Sequence, residues 1–349
     1  MRLGGFPPLC GGKPPHCFVS DAPCAITTRK FDNKGAEDMT TGSVVPRSKG
    51  AWMTFRRSKE ARYGLLFALP AILGFAIFTL GPMILSLYYS LTDYSGIGTS
   101  HFIGMDNYKA LFGSDPFFQD SLKVTLLYIT MSVPLNITVS FFIAYLLSQN
   151  IRFRGFFRLA YYLPTVVPLV ATSIIWRWLL DPSVGIINYY SMLLNLPKMR
   201  FLYDERTVLP TLAVMGVWQT GATMLIFLAG LQGIPRTLYE AADVDGASAV
   251  RKFFRITLPM MTPSLFFSLV VGLINGFQVF TQAFVITQGG PNNRSNFVVL
   301  LLFREAFTFS RMGRACAIAW IIFLIVLVLT AINFKLSNKW VYYESGDKA

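Results

Sequence analysis

Six apolar runs follow one another along the chain, and each is long enough to cross a membrane. A helix needs about 20 apolar residues to span the hydrocarbon core of a bilayer. Because lipid offers no hydrogen-bond partners to the backbone, such runs predict helices. The runs lie at residues 63–91, 121–148, 159–180, 209–231, 264–287 and 315–336. The expected fold class is therefore an all-α integral membrane helical bundle with six transmembrane helices.

The composition agrees with a membrane environment and argues against nucleic acid as a partner. Hydrophobic residues make up 53% of the chain and charged residues only 14%, whereas soluble domains carry about 25% charged residues. The net charge is +13, but much of the basic charge flanks the apolar runs, as membrane insertion requires. We therefore expect a lipid membrane, and no nucleic acid, as a partner.

The basic residues also predict an orientation. They cluster before the first run, between the second and third, and between the fourth and fifth, at residues 56–62, 152–158 and 251–255. Short loops rich in Lys and Arg face the cytoplasm. The loop after the first run carries four Asp residues against Lys109 alone and should face outward. An even number of spans then places both termini in the cytoplasm.

The loop between the fifth and sixth runs does not follow this charge pattern. It lies on the predicted outer side, yet it contains four arginines with Glu305 as the nearest opposing charge: Arg294, Arg304, Arg311 and Arg314. Later loops weigh less in setting orientation, and some of these side chains could pair or extend to the interface. Alternatively, they form a docking surface for an acidic partner or substrate.

The two ends of the chain fall outside the predicted permeation domain, which covers residues 56–340. Residues 1–55 lack periodicity and indicate a disordered or mis-assigned leader. That leader contains Cys10, His16, Cys17 and Cys24. We expect neither a structural disulfide nor a metal site there. Residues 341–349 are expected to form a cytoplasmic tail.

One charged island, Leu238–Pro263, interrupts the apolar second half of the chain. Residues 240–242 are helix formers, Gly246 is a natural helix stop, and Ala247–Ile256 resumes a helical pattern before Pro259. This predicts two short helices with a sharp bend at Gly246.

Two surroundings suit this helix pair, which is amphipathic but too short to span a membrane. Its apolar side chains are Val250, Phe253 and Phe254, and its basic ones are Arg251, Lys252 and Arg255. The pair could lie on the bilayer with its cations toward lipid phosphates. It could equally occupy the groove of a partner protein.

The island resembles the coupling loop of importer-type ATP-binding-cassette permeases. The pattern of that loop is E-A-A, three residues, G, nine residues, I, any residue, L-P. The chain fills every fixed position, with Glu240, Ala241, Ala242, Gly246, Ile256, Leu258 and Pro259. The loop as a whole corresponds to residues 236–263.

Four more stretches extend the resemblance along most of the chain from Tyr63. They read "LFALPAILGFAIFTLGPMILSLYYSLTDY", "FIGMDNYKALF", "IIWRWLLDPSVGIIN" and "ITQGGPNN". Each is similar to the carbohydrate-uptake branch of these permeases, and in particular to the maltose transporter's first permease. The chain lacks the large extracytoplasmic insert and extra leading helices of the enterobacterial subunit.

The resemblance implies a type I importer assembled from several chains in the bacterial inner membrane. The partners would be a second permease, two ATP-binding subunits and an extracytoplasmic solute-binding protein. The sequence has no G-x-x-x-x-G-K-[ST] phosphate loop, so ATP and Mg would be bound by the partners. This chain would be no enzyme, with no catalytic residue or cofactor of its own. The residues that would couple it to the ATPase are Glu240, Ala241, Ala242, Asp245, Gly246, Ala247, Ile256, Leu258 and Pro259.

Polar residues inside the apolar runs are candidates for the substrate path, because such residues are costly in lipid. In the fifth run, Asn275, Gln278 and Gln282 have the spacing of one helix face, with Gly276 and Val279 beside them. They could instead hydrogen-bond between helices.

The fourth run adds a second polar group to this candidate path. Its members are Trp218, Gln219, Thr220 and Thr223. An indole can stack on a sugar ring, although Trp218 could also be an interfacial residue.

Gly289, Gly290 and Pro291 predict a turn on the outer side. By resemblance this turn, together with Arg294, would contact the solute-binding protein.

The main functional hypothesis is an ATP-driven importer of sugars or oligosaccharides, and two alternatives remain. The same machine could import acidic oligosaccharides such as uronates, or glycerol-phosphate, which the outer arginines would suit. A membrane enzyme acting on lipid-linked sugars is the other alternative. It would require a cluster of Asp, Glu or His near a membrane face, whereas both His residues lie outside the runs.

Overall fold

The computed structural model describes residues 59–113 and 115–342. The predicted leader and its cysteines lie outside these ranges, as does most of the predicted tail. The chain divides into two compact units after Leu69. The first unit contributes only residues 59–69 to the described part, as the beginning of a helix, and all contacts discussed below belong to the second unit.

Fifteen α-helices occupy most of the described residues. They are α1 Lys59–Phe75, α2 Gly81–Ser90, α3 Asp106–Gly113, α4 Pro116–Ser148, α5 Arg154–Val166, α6 Leu169–Leu179, α7 Ile186–Leu193, α8 Val208–Val217, α9 Gly221–Gln232, α10 Arg236–Val244, α11 Ala249–Lys252, α12 Leu258–Met260, α13 Thr262–Phe277, α14 Val298–Phe303 and α15 Met312–Trp340. Wider π-helical turns interrupt the pattern at Ala76–Leu80, Phe253–Thr257, Ala283–Thr287 and Arg304–Thr308.

Three helical stretches are each long and apolar enough to cross a membrane: Tyr63–Ser90, Pro116–Ser148 and Met312–Trp340. Three bent helix pairs pass the same test together, which gives up to six spans if each pair is one span. The predicted all-α membrane bundle is confirmed, but three of the predicted helices are bent helix pairs.

The prediction of a single helix over residues 159–180 is wrong. Helices α5 and α6 meet at an angle of 98°. Pro168 stands at the start of α6, and Val167 before it is extended, with ψ of 130°. A residue that precedes proline is disfavoured in the helical conformation, and this restriction breaks the span.

The fourth and fifth runs are also interrupted. Helices α8 and α9 differ in direction by 51°. The helix predicted over residues 264–287 ends at Phe277, and the π-helical turn comes after a short non-helical stretch. Asn275, Gln278 and Gln282 therefore do not share one helix face, because Gln278 lies beyond the end of α13.

Helix α4 begins at Pro116, five residues before the predicted start. The Asp115 side chain accepts a hydrogen bond from the Phe117 amide at 2.9 Å, and Pro116 occupies the first helical turn. An acidic N-cap followed by proline is a strong helix start. This capping signal explains why the helix begins within a polar segment, which the apolar pattern alone does not predict to be helical.

Helix α4 is the element around which the second unit packs. Helices α8, α9, α13 and α14 all contact it. One group of buried side chains lies between α4 and α8, around Leu212 and Tyr128. A second group lies between α4 and α9, where Phe141 and Phe227 meet edge to face at 5.6 Å.

Helices α9 and α5 approach each other closely at Gly221. A Cβ atom at Gly221 would lie 2.5 Å from the Tyr161 carbonyl oxygen and 2.8 Å from the Tyr162 Cα. Both are backbone atoms that cannot rotate away. We expect Gly221→Ala to destabilise the fold by about 1–3 kcal/mol, the usual cost of overpacking. Thermal unfolding of the purified protein in detergent measures the change.

Gly155 provides the matched control, since a Cβ atom there meets nothing within 4 Å. Gly155→Ala should be neutral or stabilising by up to about 1 kcal/mol, because alanine favours a helix over glycine. Equal thermal stabilities for the two variants would contradict the close packing of α9 on α5.

Candidate functional site

A cavity of about 280 Å³ lies where α4, α8, α9 and α13 meet. Five of the nine residues predicted for the substrate path line it: Gln219, Thr223, Asn275, Gly276 and Val279. Two runs far apart in sequence thus contribute to one polar cavity, although α13 ends before Val279.

The other four predicted residues do not line this cavity. Trp218 packs edge to face on Trp176 with ring centroids 5.7 Å apart, and Thr220 is buried at the break between α8 and α9. Gln278 is exposed beyond the end of α13. Gln282 is half-buried, and its Oε1 has no hydrogen-bond partner among the described residues.

Helix α4 presents a polar face to the cavity, and none of its residues was predicted for the substrate path. Tyr128, Ser132 and Asn136 line the cavity and follow one another at intervals of four residues, which places them on one face of a helix. Their spacing inside a 33-residue helix is a signal that the sequence does contain. Ser268 of α13 also lines the cavity, and its buried hydroxyl has no hydrogen-bond partner among the described residues.

The cavity lining is uncharged and mixes polar with apolar groups. It combines hydroxyl groups and carboxamides with alanine, valine and isoleucine side chains, and the described residues that form it include no Asp, Glu, Lys or Arg. The Gln219 amide also donates to the Thr172 hydroxyl at 3.3 Å. Amides and hydroxyls can both donate to and accept from a ligand rich in hydroxyl groups.

The charged island forms the predicted pair of helices with a bend at Gly246. Helix α10 ends at Val244, and Gly246 adopts a φ of +70° that strongly favours glycine. The Gly246 amide donates to the Asp243 carbonyl, and the Ala247 amide donates to the Ala242 carbonyl. These two bonds form a Schellman motif, which caps the exposed end of α10. After the bend, the helical segment runs from Ala249 to Met260, beyond the expected stop at Pro259.

Side-chain contacts hold the two arms of this pair together. The Lys252 ammonium lies 2.6 Å from the Asp243 carboxylate, and the Tyr239 and Thr257 hydroxyls are 2.9 Å apart. Phe253 anchors the second arm on the bundle by packing against Tyr145 at 5.1 Å.

Apolar side chains on the outside of the same helix pair remain exposed. Val244 is 89% exposed, and both Val250 and Phe254 are at least 60% exposed. Glu240, Ala241, Asp245 and Gly246 are exposed beside them. Exposed apolar groups rimmed by charges are typical of a protein interaction site.

The outer loop contains the predicted turn at Gly289–Pro291 and is fixed by hydrogen bonds. The Ser295 hydroxyl lies 2.6 Å from both the Thr287 hydroxyl and the Gly290 carbonyl. Glu205, in the loop before α8, accepts from the Asn292 amide at 3.1 Å and from Arg294 at 3.2 Å. Glu205 was not predicted from the sequence, since a pairing between distant loops leaves no local pattern.

The outer arginines are not a free basic surface. Arg294 pairs with Glu205, and Arg304 donates to the Gln288 carbonyl at 2.6 Å. Arg311 lies 3.8 Å from Glu305, and Arg314 pairs with Asp115. Each arginine thus has an acceptor within the chain, in line with the pairing alternative.

Asp115, Glu305 and Arg314 form a buried charged cluster at the outer end of the bundle. Arg314 contacts both acids, with 3.7 Å between its Nε and the Glu305 carboxylate. Burial raises the pKa of Glu305, and the charges of Arg314 and Arg311 partly oppose that shift. The charged form of Glu305 is therefore less favourable in the folded protein than in the unfolded chain.

The molecule has apolar helices that enclose an uncharged cavity, and an exposed helix pair is attached to them. These features suit a membrane transport permease. The sequence matches the family described as binding-protein-dependent transport system inner membrane component over residues 136–340. The chain belongs to this family, and it is the membrane-spanning subunit of a binding-protein-dependent ATP-binding-cassette transporter.

Curated relatives and solved structures agree with this assignment. The chain is 40% identical over 294 residues to the probable ABC transporter permease protein YesP of Bacillus subtilis, covering 83% of this chain and 95% of that protein. It is 31% identical over 308 residues to the arabinooligosaccharides transport system permease protein AraP of the same bacterium, covering 86% and 97%. A chain from a bacterial ABC transporter involved in the import of the acidic polysaccharide alginate superposes with a TM-score of 0.73 at 24% identity, covering 82% and 98%. That similarity shows the shared fold.

We expect Glu305→Gln to leave stability at pH 7 unchanged or raised, whereas Asp115→Asn should lower it. A raised folded-state pKa means that ionised Glu305 opposes folding, so its cost grows as pH rises and disappears below the pKa of the unfolded chain. Asp115 both caps α4 and pairs with Arg314. Its loss should cost about 3 kcal/mol, as for a broken buried ion pair.

Thermal unfolding of the wild type and both variants between pH 5 and pH 8 measures these effects. Any advantage of Glu305→Gln should shrink as the pH falls, because the wild-type carboxyl group becomes protonated. A large loss of stability in Glu305→Gln at pH 7 would refute this account of the cluster.

Proposed function

We propose that this permease subunit conducts sugars or oligosaccharides into the cell through the cavity between α4, α8, α9 and α13. The observation that carries the proposal is the neutral lining of hydroxyls and carboxamides. Such groups suit a ligand whose hydroxyls donate and accept hydrogen bonds. The arabinooligosaccharide transport named for AraP supports the same substrate class.

The importer in this proposal contains four membrane-associated subunits besides the binding protein. This chain pairs with a second permease, and each of the two permeases binds one ATP-binding subunit. ATP and Mg are bound by those subunits, since this sequence carries no phosphate-binding loop. This chain has no catalytic role, and it moves substrate by alternating access.

The ATP-binding subunit contacts the helix pair at α10 and α11 in this proposal. Exposed Val244, Val250 and Phe254 provide the apolar contact, and Glu240 provides a charge that a basic partner group can pair with. Ala241 and Ala242 permit close approach, and Gly246 fixes the bend. Ile256, Leu258 and Pro259 continue the second arm toward the bundle.

The solute-binding protein docks at the opposite end, on the loop that contains Gly289–Pro291 and Arg294. Glu205 supports this proposal by holding Asn292 and Arg294 in one arrangement. The basic segments between the spans favour a cytoplasmic location for both termini and for the helix pair.

An acidic oligosaccharide is a second candidate substrate, and the alginate transporter with the same fold favours it. The paired outer arginines and the neutral cavity do not favour it. ATPase stimulation by binding proteins loaded with neutral or acidic saccharides, measured on the purified complex, decides between the two classes.

Gln219→Leu should raise the KM for saccharide uptake about tenfold or more, because it leaves a ligand hydroxyl unpaired in the cavity. Gln278→Leu is the matched control, since it makes the same chemical change outside the cavity lining. Uptake of radiolabelled saccharide by proteoliposomes containing the whole importer measures both. Equal KM values for the two variants would remove the cavity as the substrate path.

Glu240→Lys and Gly246→Pro should abolish uptake while the subunit still inserts and assembles with the second permease. Lysine reverses the charge that Glu240 offers, and proline cannot adopt the φ of +70° found at Gly246. Affinity capture of the ATP-binding subunit and uptake by proteoliposomes measure the effect. Asp106→Lys, a charge reversal at an exposed site on α3, should retain uptake. Full uptake by both island variants would refute the coupling role.

A further inference from the structure

A second polar cavity, of about 650 Å³, lies beside the helix pair and away from the proposed substrate path. Five segments enclose it: the end of α4, the start of α5, the end of α9 and each of the two arms of the helix pair. It shares no lining residue with the neutral cavity described above. Neither the family assignment nor the coupling role requires it to bind anything.

The lining of this cavity has an excess of positive charge. Arg154, Arg236 and Lys252 come from three different segments and face the same space, and the described residues that line it include no Asp or Glu. Lys252 already pairs with Asp243 outside the lining. Arg154 and Arg236 have no ion pair among the described residues.

The Arg154 side chain lacks a hydrogen-bond acceptor among the described residues. Its Nε atom is buried and has no hydrogen-bond partner in the described part of the chain, and the same holds for Arg158 one turn later on α5. Two like charges four residues apart on a helix repel each other. A buried arginine donor without an acceptor also costs free energy, so an anion in the cavity would offset both costs.

Neutral donors complete the chemistry of the site. The carboxamides of Gln149, Asn150 and Gln232 line the same cavity as the arginines. Guanidinium groups surrounded by neutral donors suit the oxygens of a phosphate group, to which arginine donates in bidentate fashion.

Exposed aromatic side chains lie within three residues of Arg154 in sequence, at the start of α5. Phe153 is 75% exposed, Phe156 66% and Phe157 41%. A phospholipid combines an anionic phosphate group with apolar acyl chains. Cationic side chains in a pocket suit the phosphate, and exposed apolar rings nearby in the chain suit the acyl chains.

We propose that this cavity binds the phosphate group of an anionic phospholipid, with the acyl chains lying against the phenylalanines at the start of α5. Arg154 and Arg236 hold the phosphate, and the carboxamides orient it. The bound lipid then fills the space between α5 and the helix pair. Free phosphate compounds have the same headgroup chemistry and are distinguished in the experiment.

The test uses the whole importer, purified and reconstituted in nanodiscs. One set contains phosphatidylcholine only, and the other contains phosphatidylcholine with phosphatidylglycerol. Native mass spectrometry counts the lipids that stay bound, and a titration with phosphatidylglycerol gives the apparent affinity. Inorganic phosphate is added as a competitor in a separate titration. The variants are Arg154→Gln/Arg236→Gln and the charge-preserving Arg154→Lys/Arg236→Lys.

We expect the wild type to retain phosphatidylglycerol in preference to phosphatidylcholine. The double glutamine variant should bind it roughly 10- to 30-fold more weakly, as expected for the loss of two cations near a membrane surface. The double lysine variant should keep most of the affinity and shows that the fold is intact. Arg206→Gln, which removes one exposed charge near the outer loop, should behave as the wild type.

Competition by inorganic phosphate at millimolar concentration, with no preference among lipids, would support the phosphate site and assign it to a soluble ligand. Equal lipid retention by the wild type and the double glutamine variant would overturn the proposal. It would also be overturned if the ATP-binding subunit alone protected the two arginines from chemical modification in lipid-free detergent. None of these outcomes depends on which sugar is transported.

Discussion

The close packing of neighbouring helices on α4 is the contact on which the rest of the bundle depends. A Cβ atom at Gly276 would lie 2.7 Å from the Ile129 side chain, and one at Gly272 would lie 3.1 Å from Val133. Small residues permit such approach between helices in lipid, where no hydrophobic force drives them together. The approach of α13 to α4 brings Asn275 close to the polar face of α4, so the same glycines that allow packing also shape the polar cavity.

Breaks in the helices place polar groups inside this packed bundle. The interruption between α8 and α9 lies beside Gln219, and the end of α13 lies beside Asn275 and Val279. Irregular backbone at membrane depth is tolerated where protein surrounds it or where it lines a cavity. The broken spans and the cavity are therefore connected features. At the outer end, where charges are nearer to water, ionised groups pair instead, as Asp115 and Arg314 do.

Local sequence signals predicted the parts of the molecule that depend on local chemistry. The apolar runs indicated the bundle, and Gly246 indicated the bend between α10 and α11, because both follow from neighbours in sequence. The 98° bend before α6 was missed, although Pro168 and the extended residue before it could have signalled it. Glu205 could not be found in this way, since its partners are 87 and 89 residues distant. The polar face of α4 was not predicted, although Tyr128, Ser132 and Asn136 recur at the four-residue spacing of one helix face.

The cross-bonded helix pair has a mechanical consequence for the cavity. Its second arm runs from Ala249 to Met260 and continues into α13 after a single residue, Met261, which is completely buried. With its two arms tied by the Lys252–Asp243 and Tyr239–Thr257 contacts, the pair resists internal bending. In the proposed coupling role, a displacement at Gly246 therefore reaches the far end of α13, where Asn275 and Gly276 line the cavity, through helical segments and not through a loop. The two helical segments meet at 59° with Met261 alone between them, so a change in that angle would move the α13 residues that line the cavity.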